Sequence, residues 1–290
     1  MNLNDPLFTG VCTALVTPFL DGKVNYPMAE LLLKRQIDAG IRAIVVAGTT
    51  GEGSTLSDGE KLEMIRRCKT YVGDRCMIIA GTGSNNTAHA VHLSCEAEHV
   101  GANALLVVSP YYNKANEEGL VAHYMAIAHA VSIPIILYNV PSRTGVNMPV
   151  KVYKRLSAIP NIVGVKEAST DITKLSRIKS QCPESFSVWS GNDDHTVAAI
   201  ALGAQGVISV ASNIIPEEMI AMTNAALKGD RNSAAMQQRY QGLIDLLFCD
   251  VNPIPVKEAM KMIGYDCGGC RLPLTSLSQE NRKKITSWFQ

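Results

Sequence analysis

The chain of 290 residues lacks several features that would fix its class at once. Lysine plus arginine (27) nearly balance aspartate plus glutamate (26), leaving a formal charge of +1. Without a basic excess there is no global field to recruit nucleic acid or an anionic membrane, so neither is expected as a partner. Charged residues are only 18% and hydrophobic residues 47%, which excludes a disordered chain and a highly charged coiled coil. The first eleven residues contain neither a basic n-region nor an apolar h-region; a secretory signal is not expected, and the cytoplasm is the expected location. Two uncharged stretches, Gly119–Ser142 and Thr196–Pro216, are long enough to span a bilayer, but Pro134, Pro141, Gly203, Gly206 and Asn213 break them. Each reads as a helix, a turn and a buried strand.

Cysteine is present, eight times, but scattered along a chain long enough to build its own core. Reduced thiols are expected rather than a disulfide scaffold. Cys267-Gly-Gly-Cys270 has metal or redox spacing, yet there is no second such pair and no flanking βαβ unit of redox type. His89 and His92 lie three apart without a third ligand at suitable spacing, so no metal site is expected. His195 beside Asp193 and Asp194 reads as a polar helix start.

Eight short apolar runs are present: Val11–Val16, Ala43–Ala47, Met77–Ala80, Ala104–Val108, Ile135–Tyr138, Ile162–Val165, Phe186–Trp189 and Val207–Val210. Most are apolar throughout rather than alternating, as parallel strands covered on both faces must be. Amphipathic segments separate them. Ser57-Asp-Gly-Glu60 is a capping box, followed by Leu62, Ile65, Cys68 and Val72 on one stripe. Gly40, Gly101 and Gly203 each sit where a helix should end before the next strand. The units recur about every 27 residues, near the size of one βα repeat. Eight of them, with no G-x-G-x-x-G after the first strand, favour a closed (β/α)8 TIM barrel over an open doubly wound sheet. After Pro216 the strand signals stop. Met236, Tyr240, Leu243 and Leu247 share a helical face, Pro253 and Pro255 break the chain, and a further helix is expected near Val256–Ile263. The expected division is a catalytic barrel over residues 1–225 and a small C-terminal helical domain over 226–290.

In such a barrel the residues that follow strand ends line the mouth of the site. Lys166 follows Ile162-Val163-Gly164-Val165, so its stem leaves a buried strand. A nucleophilic amine must be uncharged, and burial together with a nearby cation would favour that form. The plainer reading is a strand-end lysine in solvent or paired with Glu167. Thr49-Thr50-Gly51 offers hydroxyls and backbone N–H groups suited to a small carboxylate, although such a turn can be a mere connection. Tyr138 and Tyr112 are phenols that can pass protons or simply pack. Arg143, in Pro-Ser-Arg-Thr-Gly, carries a fork of donors that fits a carboxylate, or is a surface arginine.

Taken together, Gly48-Thr-Thr-Gly-Glu52, Pro110-Tyr-Tyr-Asn113, Tyr138-Asn-Val-Pro-Ser-Arg143-Thr-Gly145 and Gly164-Val-Lys166-Glu-Ala-Ser169 resemble the dihydrodipicolinate synthase family over almost the whole chain, weakening only in the last helical segment. The resemblance implies a TIM barrel with a helical C-terminal domain, assembled as a homotetramer built from two tight dimers. It implies that Lys166 forms a Schiff base with pyruvate and that Tyr138 donates and accepts protons beside it. Thr49 would link Tyr138 to Tyr112, the latter reaching in from a neighbouring subunit. Thr50 would hold the pyruvate carboxylate and Arg143 the carboxylate of L-aspartate 4-semialdehyde, with Gly191 and Ile208 also around the site. No metal or organic cofactor is implied. Lysine-inhibited members carry Glu at the position of His89 and His at that of Lys61, while Asn85 and Tyr111 match, so weak or absent lysine feedback is expected here. The competing readings are an N-acetylneuraminate lyase or keto-deoxy-sugar-acid aldolase of the same superfamily, from which Arg143 argues away, and a binding barrel that has lost its activity.

Overall fold

The structure is a computed structural model and describes residues 5–290; the first four residues of the expected signal-free N-terminal segment lie outside it. Eight parallel strands, here β1–β8, close into a barrel: Gly10–Ala14, Ala43–Val46, Met77–Gly81, Ala104–Val108, Ile135–Asn139, Ile162–Glu167, Ser187–Ser190 and Gly206–Ser209. Each strand pairs with its neighbour in sequence, and β8 pairs with β1. The expected runs match these within one or two residues. Helices Tyr26–Ala39, Asp58–Val72, Thr87–His99 and Glu117–Ala130 follow the first four strands. A two-stranded hairpin, Phe19–Leu20 with Lys23–Val24, follows β1 and was too short to leave a periodic signal.

The apolar character of the strands has a direct cause. In β2, Ile44 and Val46 face outward to the helices while Ala43 and Val45 fill the barrel interior. Both faces are thus dry, and neither tolerates a charge without a partner. The interior also takes Cys12, Ile79, Leu106, Ile136, Trp189 and Ile208. Phe8 stacks on Trp189 with ring centroids 4.7 Å apart, and the indole N–H donates to the Phe8 carbonyl at 3.1 Å. Closure requires glycine: a Cβ at Gly206 would stand 1.9 Å from the carbonyl oxygen of Gly10, its partner across the seam.

The helix signals hold for a physical reason. Ser57 accepts from the Glu60 N–H, and the Glu60 carboxylate accepts from the Ser57 N–H at 2.9 Å, so two otherwise orphaned donors are satisfied at once. Gly40 ends its helix in the left-handed conformation, φ 103°. After β8, Pro216–Leu227 packs against β1, so the barrel's last helix runs to Leu227 and the 225/226 division falls in its final turn. Helices Asn232–Leu247, Ile254–Met262 and Gln279–Trp288 complete the chain. No helix among the described residues is long and apolar enough to cross a membrane, and all eight cysteines are free thiols.

Candidate active site

Register decides which side chains meet at the barrel mouth. β5 and β6 pair so that Tyr138 lies opposite Lys166 and Asn139 opposite Glu167. Side chains alternate across a strand, so the first pair shares the inner face and the second the outer. Lys166 is 5% exposed and Tyr138 7% exposed, and the amine sits 4.5 Å from the centroid of the phenol ring. A lysine nitrogen is therefore held against an aromatic face in a sheltered mouth, beside a group able to exchange protons. The solvent-pointing alternative for Lys166 is overturned by its burial. The Glu167 pairing is overturned as well, because Glu167 is engaged with Lys174 at 3.1 Å, both side chains almost fully buried.

That outer-face carboxylate is fully used. One oxygen accepts from Asn139 Nδ2 at 2.7 Å and from the Ser169 N–H at 2.9 Å; the other accepts from Tyr153 Oη at 3.0 Å and takes the Lys174 ion pair. Burial pushes the Tyr153 phenol well above its ordinary pKa, and the adjacent Glu167 carboxylate adds to this. Burial lowers that of Lys174 against the pull of Glu167. The network clamps the ends of β5 and β6 together directly behind Tyr138 and Lys166. Sequence reasoning missed it, although a clue existed: each outer-face residue directly follows a candidate inner-face one.

The remaining candidates fall into three settings. Gly191 and Ile208 belong with the pair: a Cβ at Gly191 would come within 3.0 Å of Lys166 Cε, and Ile208 is wholly buried in the interior cluster that contains Tyr138. Thr49, Thr50 and Arg143 gather at the rim. Thr50 is buried, Thr49 half-buried and Arg143 exposed. Asn252, from the C-terminal region, bridges the last two: its Nδ2 donates to Thr50 Oγ1 at 2.9 Å and its carbonyl accepts from Arg143 Nη2 at 3.2 Å. Nothing in the sequence marked Asn252, which directly precedes Pro253 and lies 202 residues from Thr50. Tyr112 stands apart, 90% exposed in a loop with φ 69°. Within this one chain no hydrogen bond joins Tyr112, Thr49 and Tyr138 among the described residues.

Asp193 to His195 form the expected helix start, a 3-10 turn leading into Thr196–Ala201, and Asp193 is buried there. Its Oδ2 accepts from the N–H groups of Val210 and Ala211 at 2.9 and 3.0 Å. Burial raises its pKa, while those hydrogen bonds and the charge of Lys166 pull the other way. The charge of Lys166 is felt at Asp193 and at Cys12 in the barrel interior. His89 does not turn toward His92: its Nε2 lies 2.7 Å from Asp58 Oδ2 and its Nδ1 3.2 Å from Ser84 Oγ. Lys61 lies 3.5 Å from the same Asp58 carboxylate, whose pKa is lowered chiefly by His89. Burial pushes the thiols of Cys267 and Cys270 up to about 12, which leaves them poor nucleophiles near neutral pH.

Comparison with known proteins adds four findings. The model of the dihydrodipicolinate synthetase family matches residues 7–290. A curated relative, 4-hydroxy-tetrahydrodipicolinate synthase of Acetivibrio thermocellus, is 46% identical over 280 residues, covering 96% of this chain and 95% of its own. Among solved structures, dihydrodipicolinate synthase from Aquifex aeolicus is 43% identical with a TM-score of 0.96, covering 97% of each chain. The chloride-inhibited enzyme from Acinetobacter baumannii, complexed with pyruvate, is 41% identical with a TM-score of 0.94 over 97% of each chain.

Proposed function

The chain belongs to the dihydrodipicolinate synthetase family, and from that premise we propose how its own residues carry out the reaction. The enzyme condenses pyruvate with L-aspartate 4-semialdehyde through a lysine Schiff base, a lyase step of diaminopimelate and lysine biosynthesis. The observation that carries the assignment of roles is the buried Lys166 amine, 4.5 Å from the Tyr138 ring on the neighbouring strand end.

In this reading the neutral Lys166 nitrogen adds to the ketone carbon of pyruvate. Protonation of the resulting hydroxyl by Tyr138, with Thr49 and a neighbouring subunit's copy of Tyr112 relaying the proton, expels water and leaves an iminium. The iminium withdraws electrons from the methyl group, which loses a proton to give an enamine. The enamine carbon attacks the aldehyde of the second substrate, whose carboxylate is gripped by Arg143 at the exposed rim. The substrate's own amine then adds to the iminium carbon, Lys166 leaves, and the ring closes as 4-hydroxy-tetrahydrodipicolinate. Thr50 holds the pyruvate carboxylate. Gly191 keeps the space beside Lys166 Cε open, since any side chain there would crowd it, and Ile208 walls the interior. The almost complete exposure of Tyr112 supports a site finished by a second subunit, and the family resemblance supports a homotetramer of two tight dimers. Barrel and C-terminal helices are proposed as two domains of a cytoplasmic protein.

Weak lysine feedback also follows in this reading. The Asp58 carboxylate that an ammonium would seek is already engaged by His89 and Lys61. A coupled assay offering aspartate semialdehyde and sugar aldehydes in parallel tests substrate choice. Turnover of the semialdehyde that disappears in Lys166→Ala is expected; preference for a sugar aldehyde would move the assignment to a different aldolase.

A further inference from the structure

Asn252 has an unusual hydrogen-bond balance. Its residue is 6% exposed, its Nδ2 donates to the buried Thr50 hydroxyl, and its Oδ1 is buried with no partner among the described residues. A structural asparagine in a dry interior satisfies both ends of its amide. Here the acceptor end is left over, so the orientation of the amide is set by what the donor end does. That donor end fills a lone pair of Thr50 Oγ1. A hydroxyl has one proton, and once its oxygen accepts from an amide, the proton points elsewhere. Thr50 lies at the mouth end of β2, where an incoming carboxylate would meet it.

The segment that carries Asn252 is held against this turn by independent contacts. Lys257, on the helix that begins two residues after Asn252, pairs with Glu52 at 2.6 Å, both side chains nearly inaccessible. The other Glu52 oxygen accepts from the Arg271 N–H at 2.8 Å. The Asn252 carbonyl accepts from Arg143. One residue of the C-terminal region therefore stands between the two side chains assigned to the two substrate carboxylates.

We infer that Asn252 is a positioning residue that fixes the polarity of the Thr50 hydroxyl, holding its oxygen as acceptor so that its proton is presented to the carboxylate of the oxoacid substrate. The inference rests on the reading of Thr50 given above. In Asn252→Asp the carboxylate would accept the Thr50 proton and repel the substrate's charge. In Asn252→Ala the hydroxyl would merely be free to turn. Neither change removes the backbone carbonyl that Arg143 uses.

The test measures kcat, KM for each substrate and the pyruvate concentration giving half-maximal borohydride trapping. The full-length enzyme is compared with Asn252→Asp, Asn252→Ala, Thr50→Val and the Asn252→Ala/Thr50→Val double variant. The expected result is a KM for pyruvate raised roughly 10- to 100-fold by Asn252→Asp and about 3- to 10-fold by Asn252→Ala. KM for the aldehyde should stay within about twofold of the parent. In the Thr50→Val background, Asn252→Ala should add less than about twofold, because its target is gone. An effect that persists in full without the Thr50 hydroxyl would overturn the inference. So would one that lowers kcat and melting temperature while leaving pyruvate half-saturation unmoved. If Asn252→Asp does not fold, the alanine and double variants decide alone. Failure of the parent enzyme to be trapped at Lys166 would instead remove the reading of the site itself; normal trapping with unshifted variants removes only the inference.

Discussion

Two parts of the site are built in opposite ways. At the ends of β5 and β6 the inner-face pair Tyr138 and Lys166 is backed by an outer-face network, Asn139, Glu167, Tyr153 and Lys174, with both oxygens of the central carboxylate satisfied. In the loop after β4, Tyr112 projects into solvent with φ 69°, and Lys114 follows at φ 46°. In the proposed reading the covalent chemistry is preorganised within one chain, whereas Tyr112, the outer end of the proposed relay, would serve a neighbouring subunit. Rigidity is needed where a nitrogen must meet a carbon. A phenol that served another subunit would need only a loop whose fold holds it outward.

The largest effect should come from breaking the buried side. Glu167→Ala leaves the Lys174 ammonium and the Tyr153 hydroxyl without their partner, and removing one member of a buried pair costs about 3–5 kcal/mol. Urea unfolding should show that loss, and a change below about 1 kcal/mol would mean the network does not hold the strand ends. His123, on the helix after the Tyr112 loop, extends the same contrast. It is buried with Nδ1 2.9 Å from Thr87 Oγ1, and burial lowers its pKa to about 4. The unfolded chain, with an ordinary pKa of about 6.5, takes up a proton that the folded chain refuses. Stability from this residue is therefore complete above pH 6.5 and falls as the pH drops toward 4, by roughly 3 kcal/mol over the window. Unfolding free energies measured across that range should lose this slope in His123→Gln; an unchanged slope would assign it to other groups.

On the exposed side, Tyr112→Phe should lower kcat by about a hundredfold, the contribution of one proton-transfer group, with no change in melting temperature. A stability loss without a kinetic one would reverse the contrast. The smallest expected effect is none: millimolar lysine should leave the rate unaltered, since Asp58 is already paired. Strong inhibition would show that His89 and Lys61 can give way.

The barrel was readable because its periodicities are local: apolar strands, a capping box at Ser57 and glycines at helix ends each report on their own neighbourhood. Lys166 and Tyr138 were readable for a related reason, since in parallel strands the residue closing an apolar run must stand at the mouth. Asn252, Lys257 and Glu167 were not. Their meaning depends on partners brought together by barrel closure and by the return of the C-terminal region over the rim, and no spacing records that. Asp193 was readable as part of a helix start, but its burial was not, because it depends on the backbone of the segment after β8, which folds over it and supplies its hydrogen bonds.

The central claim is that the nitrogen of Lys166 captures pyruvate covalently. Borohydride reduction of the native enzyme with pyruvate, followed by peptide mass spectrometry, addresses it directly. A reduced pyruvate adduct on the peptide containing Lys166, absent from Lys166→Ala, is the predicted result. An adduct on another lysine, or full turnover without any adduct, would contradict it.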